Sequence, residues 1–382
     1  MVMKRLANGL DNVKGISTLG KHVGIKQGKK DFGVIFSEKI CNCSAVYTKN
    51  KVKGAPLYVD MKHLANKQAQ AIVVNSGIAN VCTGKKGIKD SEDICLAVAK
   101  ELGIKKPDVI PSSTGLIGAY LPINKIKKNI KDLKPGKNSK DFATAIMTTD
   151  TKIKQVAVKV ENCVVAGVAK GSGMIHPNMA TMLSYIVTDA FIPKDKIDSM
   201  LKKAVDKSFN MISVDKDTST SDTVVLMANG LGGRVSLDKL QKAIDYVCIE
   251  LAKMVAEDGE GATKLIECNV TGKGASKAAK AVISSNLLKC AIFGEDPNWG
   301  RIMCAIGNSG AEIHINKTII KINKIVVYNK NPIKYDYKKL KRSLKKKNIV
   351  IDVDLGKGKQ KATAYGCDMT YDYVEINAAY HT

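Results

Sequence analysis

Arginine is scarce in this chain of 382 residues. Arg5, Arg234, Arg301 and Arg342 are four among 61 basic side chains, although the formal net charge is +25. Arginine is the side chain that most often reads base edges and stacks on bases, so the charge does not amount to a nucleic-acid surface. No nucleic acid is expected as a partner. The lysines are spread along the whole length, and the one dense run, 338–347, carries Leu340 and Leu344 at helical spacing. It reads as a solvated amphipathic helix. No apolar run reaches the ~20 residues that a bilayer requires, and residues 1–10 lack the apolar stretch of a secretory leader. A soluble, cytoplasmic chain with no membrane partner is expected.

Cys-x-x-Cys pairs are absent too. Cys41 and Cys43 are the closest of ten cysteines, which read as reduced core residues. His22, His63, His176, His314 and His381 stand singly, without metal-ligand spacing. Neither a metal nor another cofactor is expected, and a zinc enzyme or a cysteine-nucleophile enzyme fits poorly.

What is present suits a globular chain with 45% hydrophobic and 25% charged residues. Its length fits two domains, expected at 1–190 and 191–382. Helices are expected at 89–102, capped by Asp90 or Ser91, and at 139–147, 194–209, 237–256 and 276–293. The 237–256 segment is the clearest, with Leu240, Ile244, Cys248, Leu251 and Val255 at steps of three or four. Strands are expected at 33–37, 41–47, 70–75, 108–111, 153–160, 164–168, 182–188, 224–228, 264–270, 313–327, 349–355 and 362–377. Ser112, Ser113, Thr114 and Gly115 read as a polar turn, and Trp299 as the anchor of a structural loop.

The chain is organised around 169–190. Two strands flank a loop holding Gly171, Gly173 and Pro177, and the loop delivers Thr181, behind the small Ala180, to the start of the second strand. A threonine hydroxyl is a weak nucleophile until a base takes its proton, and the α-amine of an N-terminal threonine is one such base. That chemistry requires the Ala180–Thr181 bond to be cut, by attack of the Thr181 hydroxyl on the Ala180 carbonyl. The plain alternative is an ordinary hairpin whose threonine favours a strand.

The motif Lys170-Gly171-Ser172-Gly173-Met174-Ile175-His176-Pro177-Asn178-Met179-Ala180-Thr181-Met182-Leu183 resembles the signature of the ornithine acetyltransferase (glutamate N-acetyltransferase) family of arginine biosynthesis. Further matches are Asn75-Ser76-Gly77-Ile78-Ala79-Asn80, Ser113-Thr114-Gly115, Met147-Thr148-Thr149-Asp150-Thr151, Ser213 to Thr223, Glu260-Gly261-Ala262-Thr263-Lys264 and Asp296-Pro297-Asn298-Trp299-Gly300-Arg301. The resemblance implies a two-domain α+β protein layered α/β/β/α. It also implies self-cleavage into an α chain, 1–180, and a β chain, 181–382, assembled as α2β2. The implied reaction moves an acetyl group from N2-acetylornithine to glutamate through Thr181. Thr114 and Gly115 are implied as the oxyanion site, and Thr148, Lys170, Thr181, Glu260, Asn377 and Thr382 as substrate contacts. Acetyl-CoA as a second donor stays open, and so does a threonine-nucleophile aminopeptidase on the same fold.

Overall fold

The computed structural model describes residues 3–176 and 182–379. Among them, nine strands join in one sheet. In spatial order they are Lys4–Leu6, Lys154–Val160, Cys163–Lys170, Leu183–Ala190, Thr223–Gly233, Phe32–Tyr47, Gln68–Ile78 and Val109–Leu116, with Ile16–Lys21 paired onto Phe32–Tyr47. The 16-residue Phe32–Tyr47 strand takes part in both halves of this sheet. Residues 32–36 and 41–42 pair with Gln68–Ile78, while 42–47 pair antiparallel with Thr223–Gly233.

The two halves face one another across a shared apolar layer, in which Ile35, Ile72, Val74 and Ile110 from one half meet Ala166, Val168, Tyr185 and Val187 from the other. Phe142 closes this layer with an edge-on contact to Tyr185. The opposite faces are covered by helices. Val34, Val73 and Val109 lie under the Gly84–Leu102 helix, and Val165, Ile186 and Leu226 lie under Lys194–Lys207 and Leu237–Glu257. The result is the layered α/β/β/α arrangement that the sequence resemblance implies. Strands buried on both faces read as continuous apolar runs, which is why 163–170 and 183–190 are buried at every position. The Leu237–Glu257 helix comes so close that a Cβ on Gly167 would meet Leu251 Cδ1 at 2.8 Å and Ile186 Cδ1 at 2.6 Å.

A seven-stranded second sheet runs Asn331–Pro332, Ile325–Asn329, Ile319–Ile322, Asn348–Asp354, Leu265–Thr271, Lys361–Cys367 and Ile212–Ser213. It packs against the helices Ala275–Ile283, Asn286–Phe293 and Trp299–Gly307. The first sheet takes its Thr223–Gly233 strand from beyond residue 190, so the 190/191 division is not a boundary between the sheets.

Several local expectations change. Ser112 to Gly115 lie inside the Val109–Leu116 strand, parallel to residues 71–78, because the neighbouring strand satisfies their backbone groups. The helix expected at 89–102 begins at Gly84, ahead of the expected caps. The segment 276–293 breaks at Ser284 and Ser285, where the Ser285 hydroxyl accepts from the Leu288 N–H. Trp299 opens a helix, with Asn298 accepting from the Arg301 N–H. The strand expected to 377 stops at Cys367, and Tyr371–Ala378 is a helix capped by Thr370. No described helix is long and apolar enough to cross a membrane.

Leu251, on the Leu237–Glu257 helix, is fully buried against the first sheet. Leu251→Ala is expected to cost about 2–5 kcal/mol, since the cavity cannot close. The measurement is a urea titration, in which the midpoint falls at an unchanged slope.

Candidate active site

The site is built where the ends of the central strands meet the segment 171–176. Lys170 is the last residue of the Cys163–Lys170 strand and is buried. Its Nζ donates to Thr148 Oγ1 at 2.8 Å and to Thr114 Oγ1 at 3.2 Å. An ammonium has only donors, so each threonine uses a lone pair toward Lys170 and keeps its own O–H for another acceptor. Burial pulls the Lys170 ammonium below the usual lysine range, and Lys154 adds to this, while Asp150, Asp222 and Glu260 oppose it.

Beneath Lys170 lies a buried charge cluster. Lys154 Nζ sits 2.7 Å from Asp150 Oδ1 and 2.5 Å from Asp258 Oδ2, with all three side chains almost wholly out of solvent. Asp258 also receives the Thr151 N–H, at 3.1 Å, and the Thr151 hydroxyl. Asp150 Oδ1 accepts the Gly171 N–H at 2.6 Å. Burial alone would push the Asp150 carboxyl up. Lys170, Lys154 and the Gly171 N–H outweigh it and hold the group at about 2.

The segment leading to the expected cleavage point is tied down by a second carboxylate. Asp215 accepts the N–H groups of Met174, at 2.6 Å, and Ile175, at 2.9 Å, while Val214 N–H donates to the Ile175 carbonyl at 2.7 Å. His176 Nδ1 lies 2.9 Å from Ser213 Oγ. Burial, reinforced by Lys280 and Lys216, draws His176 down to about 4, so its imidazole is neutral near pH 7.

The Glu260 carboxyl rests against Gly173, where a Cβ would lie 2.3 Å from it. The Glu260 N–H donates to the Ser172 carbonyl at 3.0 Å, and Asn377 Nδ2 donates to Glu260 Oε2 at 2.9 Å. A small cleft of about 30 Å3 joins these parts, lined by Thr114, Lys170, Gly173, Ile175, Ser221 and Asp222. On the other side of Thr148, a cavity of about 320 Å3 is lined by Ile25, Lys26, Gln27, Gly77 and Gly115.

Of the expected site residues, Thr114 and Lys170 line the small cleft and Gly115 and Thr148 the larger cavity, while Glu260, bonded to Asn377, lies against Gly173 of the cleft. Ala180, Thr181 and Thr382 lie outside the described residues. The reading from sequence missed Asp222, Lys154, Asp258 and Lys26. Burial pushes the Asp222 carboxyl well above the ordinary range, against Ser219 and Lys170, and its Oδ2 has no hydrogen-bond partner among the described residues. Among the described residues no group of histidine, cysteine and carboxylate side chains is arranged to hold a metal ion.

Comparison with known proteins decides the family. The ArgJ family matches residues 17–382. This chain belongs to the ArgJ family. It is 46% identical over 403 residues to the arginine biosynthesis bifunctional protein ArgJ of Caldanaerobacter subterraneus subsp. tengcongensis, with both chains fully covered. The protein of the same name from Staphylococcus aureus strain COL is 46% identical, over 97% of this chain and 94% of that one. A crystal structure of arginine biosynthesis bifunctional protein argJ from Bacillus halodurans superposes with a TM-score of 0.51 at 43% identity. It covers 52% of this chain and 100% of that one. Of the residues quoted from the sequence for this family, the fold brings Thr114 and Thr148 onto Lys170.

Removing Lys154 leaves two buried carboxylates without their cation. Lys154→Met is expected to cost about 3–5 kcal/mol, read as a lower urea midpoint. Asp150 is held below its unfolded-state value, so its contribution is fully present above about pH 4 and is lost as pH falls toward about 2. Acid titration of the wild type is expected to lose this contribution in that window, and Asp150→Asn to lack it.

Proposed function

We propose that this ArgJ-family chain transfers the acetyl group of N2-acetyl-L-ornithine to L-glutamate, releasing L-ornithine and forming N-acetyl-L-glutamate. The observation that carries the reading is the Lys170 ammonium shared by the Thr114 and Thr148 hydroxyls, on the strand that leads to the Ala180–Thr181 bond.

In the proposed processing step the Thr181 hydroxyl attacks the Ala180 carbonyl and displaces the Thr181 nitrogen, giving an ester. Water hydrolyses it, leaving a carboxylate on Ala180 and a free α-amine on Thr181. The products are an α chain, 1–180, and a β chain, 181–382, which we propose assemble as α2β2 in the cytoplasm. In turnover that amine takes the Thr181 hydroxyl proton as the oxygen attacks the acetyl carbonyl, then returns it to the departing ornithine amine. The Thr114 hydroxyl and the Gly115 N–H receive the oxyanion, and the spare proton on Thr114 suits that task. Lys170 and Thr148 hold the α-carboxylate. Glu260, steered by Asn377, pairs with the cationic end of ornithine, and Thr382 adds a contact. Glutamate then attacks the acetyl-threonine in the reverse sense. The relatives named above are called bifunctional, and we propose acetyl-CoA as a second acetyl donor.

Denaturing mass spectrometry of the wild type is expected to show two fragments, and of Thr181→Ala one intact chain. A wild type found as a single active polypeptide would end this mechanism. Thr114→Ala is expected to lower kcat by about 10²–10³-fold, the usual loss for an oxyanion donor. Acetyl loss from acetylornithine is expected to require glutamate, and glutamate-independent loss would instead identify a hydrolase of the aminopeptidase kind.

A further inference from the structure

Glu260 raises a problem for a site that must accept two amino acids in turn. A carboxylate placed for a cationic side chain repels an anionic one of similar length. Among the described residues lining the cleft beside Glu260 the one cation is Lys170, which the first carboxylate takes, so none is left there for a second.

The larger hollow on the far side of Thr148 supplies one. Lys26 is half-buried in its wall and donates from Nζ to the carbonyl of Met147, the neighbour of Thr148, at 2.9 Å. The loop that carries it is held with unusual care. Asp31, fully buried, accepts the N–H groups of Val23 at 2.6 Å, Gly24 at 3.1 Å, Ile25 at 2.6 Å and Lys26 at 2.9 Å. Gly77 lets the loop lie flat on the strand, since a Cβ there would meet Ile25 Cγ2 at 2.9 Å and Lys26 Cγ at 3.0 Å. A lysine fixed this way is aimed by its backbone rather than searching solvent, which is how a binding group is pre-organised. Burial draws its ammonium down to about 8, with Lys29 and Lys170 adding to the effect and Asp31 and Asp150 opposing it. It is thus mostly charged near neutral pH.

We propose that the Lys26 hollow is the acceptor's side-chain subsite, in which the Lys26 ammonium pairs with the second carboxylate of a dicarboxylic amino acid while Lys170 holds the first. The proposal rests on the acetyl-transfer reading above and deepens it. Donor and acceptor share Lys170, Thr114 and Thr148, and their side chains diverge, the cationic one toward Glu260 and the anionic one toward Lys26. The cavity volume of about 320 Å3 accommodates a side chain of this size together with water.

The test measures acceptor choice in the full, processed protein charged with acetylornithine, using glutamate, its neutral isostere glutamine, and labelled ornithine as competing acceptors. Lys26→Gln is expected to raise the KM for glutamate at least ten-fold and to erase the preference for glutamate over glutamine. The ratio of glutamate transfer to ornithine exchange is expected to fall by a similar factor. Lys26→Arg, which keeps the cation, is expected to restore most of the preference. An unmoved glutamate-to-glutamine ratio in Lys26→Gln overturns the subsite. So does an equal loss of transfer to all three acceptors, which would mark Lys26 as a support for the Met147–Thr148 backbone alone. So does a rise in KM confined to acetyl-CoA, which would give the hollow to a phosphate-bearing donor. Absence of acetyl exchange in the wild type overturns the underlying reaction, and with it the subsite.

Discussion

One buried ammonium, that of Lys154, sits between the carboxylates of Asp150, its near neighbour in sequence, and Asp258, and so joins two parts of the chain that are far apart in sequence. Asp150 ends the Met147 to Asp150 turn, and Asp258 follows the long Leu237–Glu257 helix. Lys154 begins an inner strand. Each charge would be costly alone in this interior, and the shared ammonium together with the hydrogen bonds to both carboxylates offsets that cost. The position of everything above follows from this cluster. Asp150 anchors the Gly171 N–H, which fixes where the Cys163–Lys170 strand ends and so where Lys170 projects.

Lys170 is in turn the centre of the proposed site. Among the described residues its hydrogen-bond partners are two neutral hydroxyls, so it organises Thr114 and Thr148 while the carboxylates of Asp150, Asp222 and Glu260 act on it without a direct bond. Such a group is poised to take an anionic ligand. The neighbouring glycines have steric reasons to be glycines. Gly115, at a φ of +127°, leaves no room for a Cβ, which would lie 2.3 Å from the Gly77 carbonyl carbon, and Gly173 makes room for Glu260.

The elements legible in the sequence were those with a regular apolar period, above all the Leu237–Glu257 helix and the continuously apolar strands of the inner layers. The polar Ser112 to Gly115 run reads as a turn because no local signal reveals that a parallel neighbour will take up its backbone groups. Tyr371–Ala378 reads as a strand because its aromatic and β-branched residues favour one, while the helix is supported by the Thr370 cap and by an edge-on contact of Tyr371 with Phe293. Most of the candidate site was legible as motif. The partners that hold it were not, because Asp258 lies 104 positions from Lys154 in the hydrogen-bonded pair and only the fold unites them. Lys26 stands in a stretch rich in lysine and glycine that looks solvated, and nothing nearby announces that Asp31 will gather its amides.

The order of strands in the first sheet has an outcome for biogenesis. Leu183–Ala190 and Thr223–Gly233 lie side by side in the middle, flanked by Cys163–Lys170 on one side and Phe32–Tyr47 on the other. The first 180 residues, made alone, would carry two raw β-edges with a two-strand gap between them, an invitation to aggregate. Neither portion is a plausible free-standing translation product, so co-expression from separate genes would succeed only if the portions met before either collapsed.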